Sequence, residues 1–227
     1  MNDPAFSVVS AGICVSLLEM LVWFRWKKPW VSRDITAYPS SFSPYLRVLF
    51  GVLAGFGFGY ALGSVAAAVA GSAIAWLSVL AIETDLANHK IPKEPCWVVF
   101  FTGTLAGITG YTMYAAIIAG IALIALGLIP LVLAILTKGG LGSGDVRYLV
   151  AVTPLAWWIG VTPLLVAVIV GCIIQIIIRT ALVLRKKNVS QLPFGPALAT
   201  GVILCVSVTT IATSGCETYF SLLSCGY

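Results

Sequence analysis

The stretch Val161–Leu184, VTPLLVAVIVGCIIQIIIRTALVL, decides the fold class of this chain. A membrane-spanning helix needs roughly 17–25 mostly apolar residues, and this stretch supplies them with one charged side chain, Arg179. The whole chain of 227 residues is similar, with 60% hydrophobic and 9% charged residues and a mean hydropathy of +1.05. Soluble domains carry about 25% charged residues. The composition therefore predicts an all-α membrane protein that crosses the bilayer several times.

Seven further apolar runs extend this pattern, which brings the predicted number of transmembrane helices to about eight. Each run approaches the length that a span requires. The chain reads as one integral-membrane domain over 1–227, with a short basic loop at 25–46 and an outer tail at 214–227. The predicted spans are 6–24, 47–81 divided into two helices near 59–63, 96–112, 113–136, 148–160, 161–184 and 195–213.

The basic residues predict the orientation of these spans. All 13 Lys and Arg residues fall in four alternate connecting segments, namely 25–47, 83–95, 137–147 and 179–194. Because Lys and Arg concentrate in cytoplasmic loops, we predict that both termini lie outside, in a multi-pass protein of the inner (cytoplasmic) membrane. The net charge of +5 then indicates contact with a lipid bilayer, and no nucleic-acid partner is expected.

Two carboxylates stand next to apolar runs and are candidates for a shared site. Asp145 ends the glycine-rich stretch Gly142–Asp145, and Asp85 follows a separate apolar run; both are predicted in cytoplasmic loops. Charges near hydrocarbon are costly and often functional. Taken singly, however, each acid could equally be a solvated loop residue.

Brought together, two carboxylates tend to share one proton. The ionised member can then activate water while the protonated member polarises a peptide carbonyl, and neither a metal nor a cofactor is needed. The glycines of the 142–145 stretch are expected to adopt unusual backbone angles and to admit an extended substrate.

Three motifs in order resemble the type IV prepilin peptidases, which are Gly-x-Gly-Asp membrane aspartic proteases. These motifs are Asp85 followed by six residues and Pro92, the stretch Gly142–Leu149, and the stretch Leu192–Gly201. The resemblance covers about residues 47–213. It implies a catalytic pair and a set of residues that shape the site or bind substrate. The pair is Asp85 and Asp145, and the set is Pro92, Gly142, Gly144, Arg147, Pro193, Phe194, Gly195 and Pro196.

The same resemblance implies an activity and a partner. An aspartic endopeptidase of this family would cleave the leader from prepilin or pseudopilin substrates at the cytoplasmic membrane face. Larger members carry a cysteine-rich zinc-binding segment after the first span, whereas residues 25–44 here contain no cysteine. The chain therefore resembles the short form, and methyltransferase activity is not expected.

Three positions depart from the family pattern and are interpreted as drift. Arg147 stands where Lys is usual, Lys93 replaces an acid after the proline, and Thr84 replaces an apolar residue before the first Asp. Two other functions stay open. One is a general intramembrane protease of presenilin or signal-peptide-peptidase type; the other is a small proton-coupled transporter that uses both acids as ion sites.

A few remaining polar residues carry weaker expectations. Glu19 lies within the first predicted span and should face other helices or a water-filled crevice, with a catalytic part as the alternative. Glu83 could tune Asp85 by repulsion or pair with Lys90. The single histidine, His89, makes a poor metal site with scattered carboxylates.

The cysteines and glycines also carry expectations. Cys216 and Cys225 share the outer tail, where a disulfide is permitted; the other four cysteines read as small apolar residues. Glycines between 51 and 63 predict close helix packing. The oligomeric state is left open.

Overall fold

The computed structural model describes residues 4–26, 44–88, 91–110, 142–184 and 194–208, together with seven single positions between 117 and 135. Within these residues every element is helical and no strand occurs, which confirms the all-α class. A 3₁₀ turn at Thr153–Leu155 connects two of the helices. The helices are α1 Pro4–Trp26, α2 Pro44–Ala61, α3 Val65–Asn88, α4 Lys93–Gly110, α5 Ser143–Val152, α6 Ala156–Ile159, α7 Val161–Leu184 and α8 Gly195–Val208.

Two of the described helices are long and apolar enough to cross a membrane, judged by length and composition. They are α3, over Val65–Leu86, and α7, over Val161–Leu182. The window in α3 is 67% buried and that in α7 only 17%, so α3 lies at the centre of the bundle and α7 at its edge. This supports a membrane protein in general; the eight spans and the outward termini stay predictions.

The predicted break between the second and third helices is confirmed. Helix α2 ends at Ala61 and α3 begins at Val65. Gly63 has a φ of 58°, a conformation that a residue with a Cβ rarely adopts. Ser64 then caps α3, because its Oγ accepts the backbone N–H of Ala67 at 3.3 Å. The Gly-Ser pair therefore both turns the chain and starts the next helix.

Small residues bring α2 close to its neighbours, as the glycine pattern predicted. A Cβ built on Gly51 would lie 2.6 Å from a methyl group of Val15 in α1. Built on Gly55 and Gly59, it would lie 2.6 and 2.5 Å from side chains of α3. These three glycines are four residues apart and share one helix face. Their missing side chains allow α1, α2 and α3 to pack backbone against backbone.

Both acidic residues lie in helices, so the prediction that they lie in loops is wrong. Helix α5 begins at Ser143, five residues before the predicted span, and Asp145 falls in its first turn. A helix N-terminus favours a carboxylate there. Helix α3 continues to Asn88, past the predicted end at Ala81. Its polar last turns remain helical because their buried side chains find partners, which are described below.

The predicted span 148–160 is also wrong as a continuous helix. Pro154 interrupts it with the 3₁₀ turn, and α6 adds a single further turn before Gly160. Proline lacks the N–H that a helix interior needs. The neighbouring prediction of a helix over Val161–Leu184 is confirmed at both ends.

Several predictions fall on residues outside the described ranges and stay predictions. This set contains the part of the basic loop between Trp26 and Pro44, most of the span 113–136, and the residues His89, Lys90 and Pro193. The suggested Cys216–Cys225 disulfide belongs to it too. The ends of the predicted loop 25–46 are helical, because α1 runs to Trp26 and α2 begins at Pro44. The four described cysteines are free thiols: Cys14, Cys96, Cys172 and Cys205.

Candidate active site

Three helix ends meet around Asp85, which is 6% exposed. They are the last turns of α3, the first turn of α5 and the first turn of α8. The backbone N–H of Gly195, at the start of α8, donates to Asp85 Oδ2 at 2.8 Å. An N–H at a helix N-terminus stabilises negative charge on its acceptor. This hydrogen bond orients the Asp85 carboxylate towards the start of α8.

Position 195 requires glycine, because a larger side chain would not fit between α8 and Asp85. A Cβ built on Gly195 would lie 2.7 Å from Asp85 Oδ2 and 3.0 Å from Ile91 Cδ1. Phe194 precedes it as a bend, and the Phe194 carbonyl accepts the N–H groups of Ala197 and Leu198, both at 3.1 Å. The described part of the 193–196 motif is therefore a helix start that directs one amide at a carboxylate.

Asp145 is half-buried in the first turn of α5. A Cβ built on Gly142 would lie 2.9 Å from Asp145 Oδ2, so this side chain folds back towards the start of its own helix. Burial and, after it, the negative charge of Asp85 raise the pKa of Asp145 to about 7. The two acids therefore lie within electrostatic reach of each other. Near neutral pH, Asp145 therefore retains its proton much of the time.

The glycines of the 142–145 stretch serve close packing. Gly142 has φ −59° and ψ 137°, a conformation open to any residue, so the prediction of unusual backbone angles is wrong there. A Cβ built on Gly144 would lie 3.2 Å from both the backbone N and the Cβ of Ile91. The side chain of Ile91, 4% exposed, thus packs between the starts of α5 and α8. Pro92, also buried, follows it in the short connection to α4.

A buried hydrogen bond holds α5 against α3 beside the two acids. The hydroxyls of Tyr148 and Ser78 are 2.7 Å apart. Ser78 donates to the Ile74 carbonyl at 2.8 Å, so Tyr148 is the donor to Ser78. Tyr148 lies one turn after Asp145, and Ser78 lies two turns before Asp85, so each pair shares a helix face. These spacings of three and seven residues were visible in the sequence, but the hydrogen bond was not predicted.

Arg47 forms a second buried polar group, which we call the ion cluster: Glu19, Arg47, Trp76 and Glu83. Arg47 binds the carboxylate of Glu19 with two donors, Nε at 3.1 Å and Nη2 at 2.5 Å. Its Nη1 donates to Glu83 Oε2, and the indole of Trp76 donates to Glu19 at 2.8 Å. The prediction that Glu19 faces other helices is confirmed. Arg47, counted from sequence among the cytoplasmic basic residues, is fully buried, and its side of the membrane stays a prediction.

The remaining predicted residues lie close by. Arg147 and Pro196 are half-buried in the first turns of α5 and α8. Thr84, which replaces an apolar residue of the family pattern, is buried, and its hydroxyl donates to the Leu80 carbonyl at 2.8 Å. The hydroxyl is thus satisfied inside its own helix, which explains how α3 tolerates it there. Among the described residues, no three His, Cys, Asp or Glu side chains converge as a metal site.

Comparison with known proteins gives one family match. Residues 72–180 match the model of the type IV leader peptidase family. The match covers just under half of the chain and is consistent with a member of that family. It confirms the resemblance drawn from the three motifs, and it supports a leader-peptidase-like protease in general. The matched stretch includes Asp85 and Asp145, whereas Gly195 and Arg47 lie outside it. No curated protein and no solved structure matches the chain.

Proposed function

We propose that this protein is a membrane-embedded aspartic endopeptidase that removes the leader from prepilin-like or pseudopilin substrates. The observation that carries the proposal is the placement of Asp85 and Asp145 within electrostatic reach of each other at three helix ends. Gly195 donates to one acid, and burial raises the pKa of the other to about 7. Perturbed carboxylate pairs of this kind are frequent at catalytic sites. The family match adds a leader-peptidase-like activity as the reaction class.

The two acids take different roles in the proposed mechanism. Asp85, oriented by the Gly195 amide and acting in its ionised form, accepts a proton from a water molecule as that water attacks the scissile carbonyl carbon. Asp145, protonated, donates a hydrogen bond to the carbonyl oxygen and stabilises the charge that develops there. As the C–N bond breaks, the proton held by Asp85 passes to the leaving amine. Both acids then return to their starting states.

The proposed setting is the cytoplasmic face of the inner membrane, with about eight spans and both termini outside. The distribution of Lys and Arg supports that side for both acids. A substrate whose apolar helix lies in the bilayer would present its leader junction at this surface, where water is available. Because residues 25–44 lack cysteine, we propose peptidase activity without methyl transfer.

The proposal is tested by co-expression with a candidate prepilin and mass analysis of the product. Asp85→Asn and Asp145→Asn keep the side-chain shape and remove ionisation, so each should abolish leader removal while the protein remains folded and inserted. Glu94→Gln, in the first turn of α4, is the matched control and should cleave like the parent. Full activity in either purified Asn variant would remove that residue from the mechanism.

A further inference from the structure

The ion cluster joins three helices at the depth of the last turns of α3. Glu19 comes from α1, Arg47 from α2 and Glu83 from α3. The side chains of Arg47 and Glu83 are each 1% exposed, and that of Glu19 is 17% exposed. Glu19 takes two of the Arg47 donors, and Glu83 takes a third. One guanidinium therefore connects a carboxylate of α1 to a carboxylate of α3.

This arrangement is costly in a membrane-embedded bundle. Two carboxylates share one cation, and Glu83 Oε1 is buried without a hydrogen-bond partner among the described residues. A buried polar atom without a partner destabilises the folded state. Buried ion pairs often contribute less to stability than well-packed apolar side chains would. We therefore look for the role of the ion cluster in the positions that it imposes on the helices.

The ion cluster and the candidate active site contact the same turn of α3 on opposite sides. Glu83 and Asp85 are two residues apart, which corresponds to about 200° around a helix. Arg47 of α2 holds Glu83 on one side, and the Gly195 amide of α8 meets Asp85 on the other. Any rotation of α3 that carried Asp85 away from Gly195 would also break the bond between Arg47 and Glu83.

The glycine contacts between α2 and α3 lack this directionality. Gly51, Gly55 and Gly59 allow close backbone approach, but contacts between small apolar groups impose no angular preference of their own. A guanidinium that donates several hydrogen bonds does impose an angular preference. We propose that Arg47 and Glu83 are positioning residues that fix the rotation of the α3 end and thereby the direction of Asp85. The catalytic meaning of this positioning rests on the proposed function.

The experiment compares two substitutions of one residue. Glu83→Met removes the link to α3 while leaving Arg47 and Glu19 as a neutral bidentate pair, so the fold should lose no stability. Glu83→Gln keeps the shape and an oxygen that Arg47 can bind, so it should preserve the link. For leader cleavage by the purified proteins, we expect Glu83→Met to lower kcat about tenfold or more with KM nearly unchanged, because small misplacements of reacting groups are costly. Glu83→Gln should stay within about threefold of the parent.

A second readout needs no substrate. Protein labelled with ¹⁵N-glycine, of which the chain has 22 residues, reports the Gly195 amide resonance directly. Asp85→Asn gives the reference for an amide that has lost its charged acceptor. Glu83→Met should move the Gly195 resonance towards that reference. Ser72→Ala, which removes a buried hydroxyl of α3 that donates to Val69, should leave both the resonance and the cleavage rate unchanged.

The outcomes separate this inference from the proposed function. If the parent cleaves no prepilin-like substrate, the proposed function fails, and the Gly195 resonance still decides the positioning. A folded Glu83→Met protein with a parent-like Gly195 resonance overturns the inference, whether its activity is kept or lost. If Glu83→Met cannot be recovered folded, Arg47→Lys replaces it, since a single ammonium cannot hold Glu19 in the bidentate manner and reach Glu83 as well. A parent-like resonance and kcat in that variant overturn the inference equally.

Discussion

Replacing Gly195 with alanine should damage the site by adding one methyl group. The built Cβ lies 2.7 Å from Asp85 Oδ2, 3.2 Å from Asp85 Cβ and 3.0 Å from Ile91 Cδ1. Ordinary carbon–carbon contacts need about 3.5–4.0 Å, so α8 and the end of α3 must separate by roughly 1 Å. The hydrogen bond from Gly195 to Asp85, now 2.8 Å, would then exceed hydrogen-bonding distance.

The size of the effect follows from this displacement. A hydrogen bond to a charged group contributes about 1.5–3 kcal/mol, and a misplacement of about 1 Å can cost on the order of 10²-fold in rate. We therefore expect kcat/KM for leader cleavage to fall about 100-fold. Overpacking should also lower the free energy of unfolding by about 1–3 kcal/mol.

The assay is leader cleavage by purified protein in detergent, with thermal unfolding measured on the same preparation. Gly57→Ala is the matched control, because a Cβ built on Gly57 of α2 meets nothing within 4 Å. It should cleave like the parent and be as stable or slightly more so. If Gly195→Ala cleaves within about threefold of the parent, the close contact between α8 and Asp85 is irrelevant to activity, and the reasoning is refuted.

Two further predictions concern α5 and its contact with α3. Because the pKa of Asp145 is raised from 3.8 to about 7, its protonated form stabilises the fold fully below pH 4, and this contribution is lost as the pH rises to about 7. At pH 4, Asp145→Asn should therefore unfold at the same temperature as the parent. At pH 8 its free energy of unfolding should exceed that of the parent by about 1–3 kcal/mol, after allowance for solvent screening at a half-buried group. An equal difference from the parent at both pH values would contradict the raised pKa. Tyr148→Phe removes the donor to Ser78 and should lower the free energy of unfolding by about 1 kcal/mol and slow cleavage severalfold. Unchanged unfolding and cleavage in that variant would show that this hydrogen bond holds nothing in place.

Hydropathy and turn chemistry predicted much of the fold. The apolar content predicted an all-helical protein, and Gly63 with Ser64 marked the hairpin between α2 and α3. Sequence reasoning failed where polar side chains continue a helix. Asp85 was expected in a loop because three polar residues end the apolar run, yet each of these side chains has a partner that lets α3 continue. The motifs pointed to the two carboxylates and to Gly195, but the hydrogen bond between Gly195 and Asp85 was not predicted.

What the sequence by itself determined was local: the helical class, the glycine-lined faces of α2, and two acids in motifs shared with a peptidase family. What only the tertiary structure decided was the identity of the partners. The amide that meets Asp85 belongs to a residue 110 positions later, and the cation that binds Glu19 lies 28 positions away. Hydropathy and capping are read along the chain, residue by residue. A hydrogen bond between helices depends on their rotation and separation, which are set only when all the helices pack together.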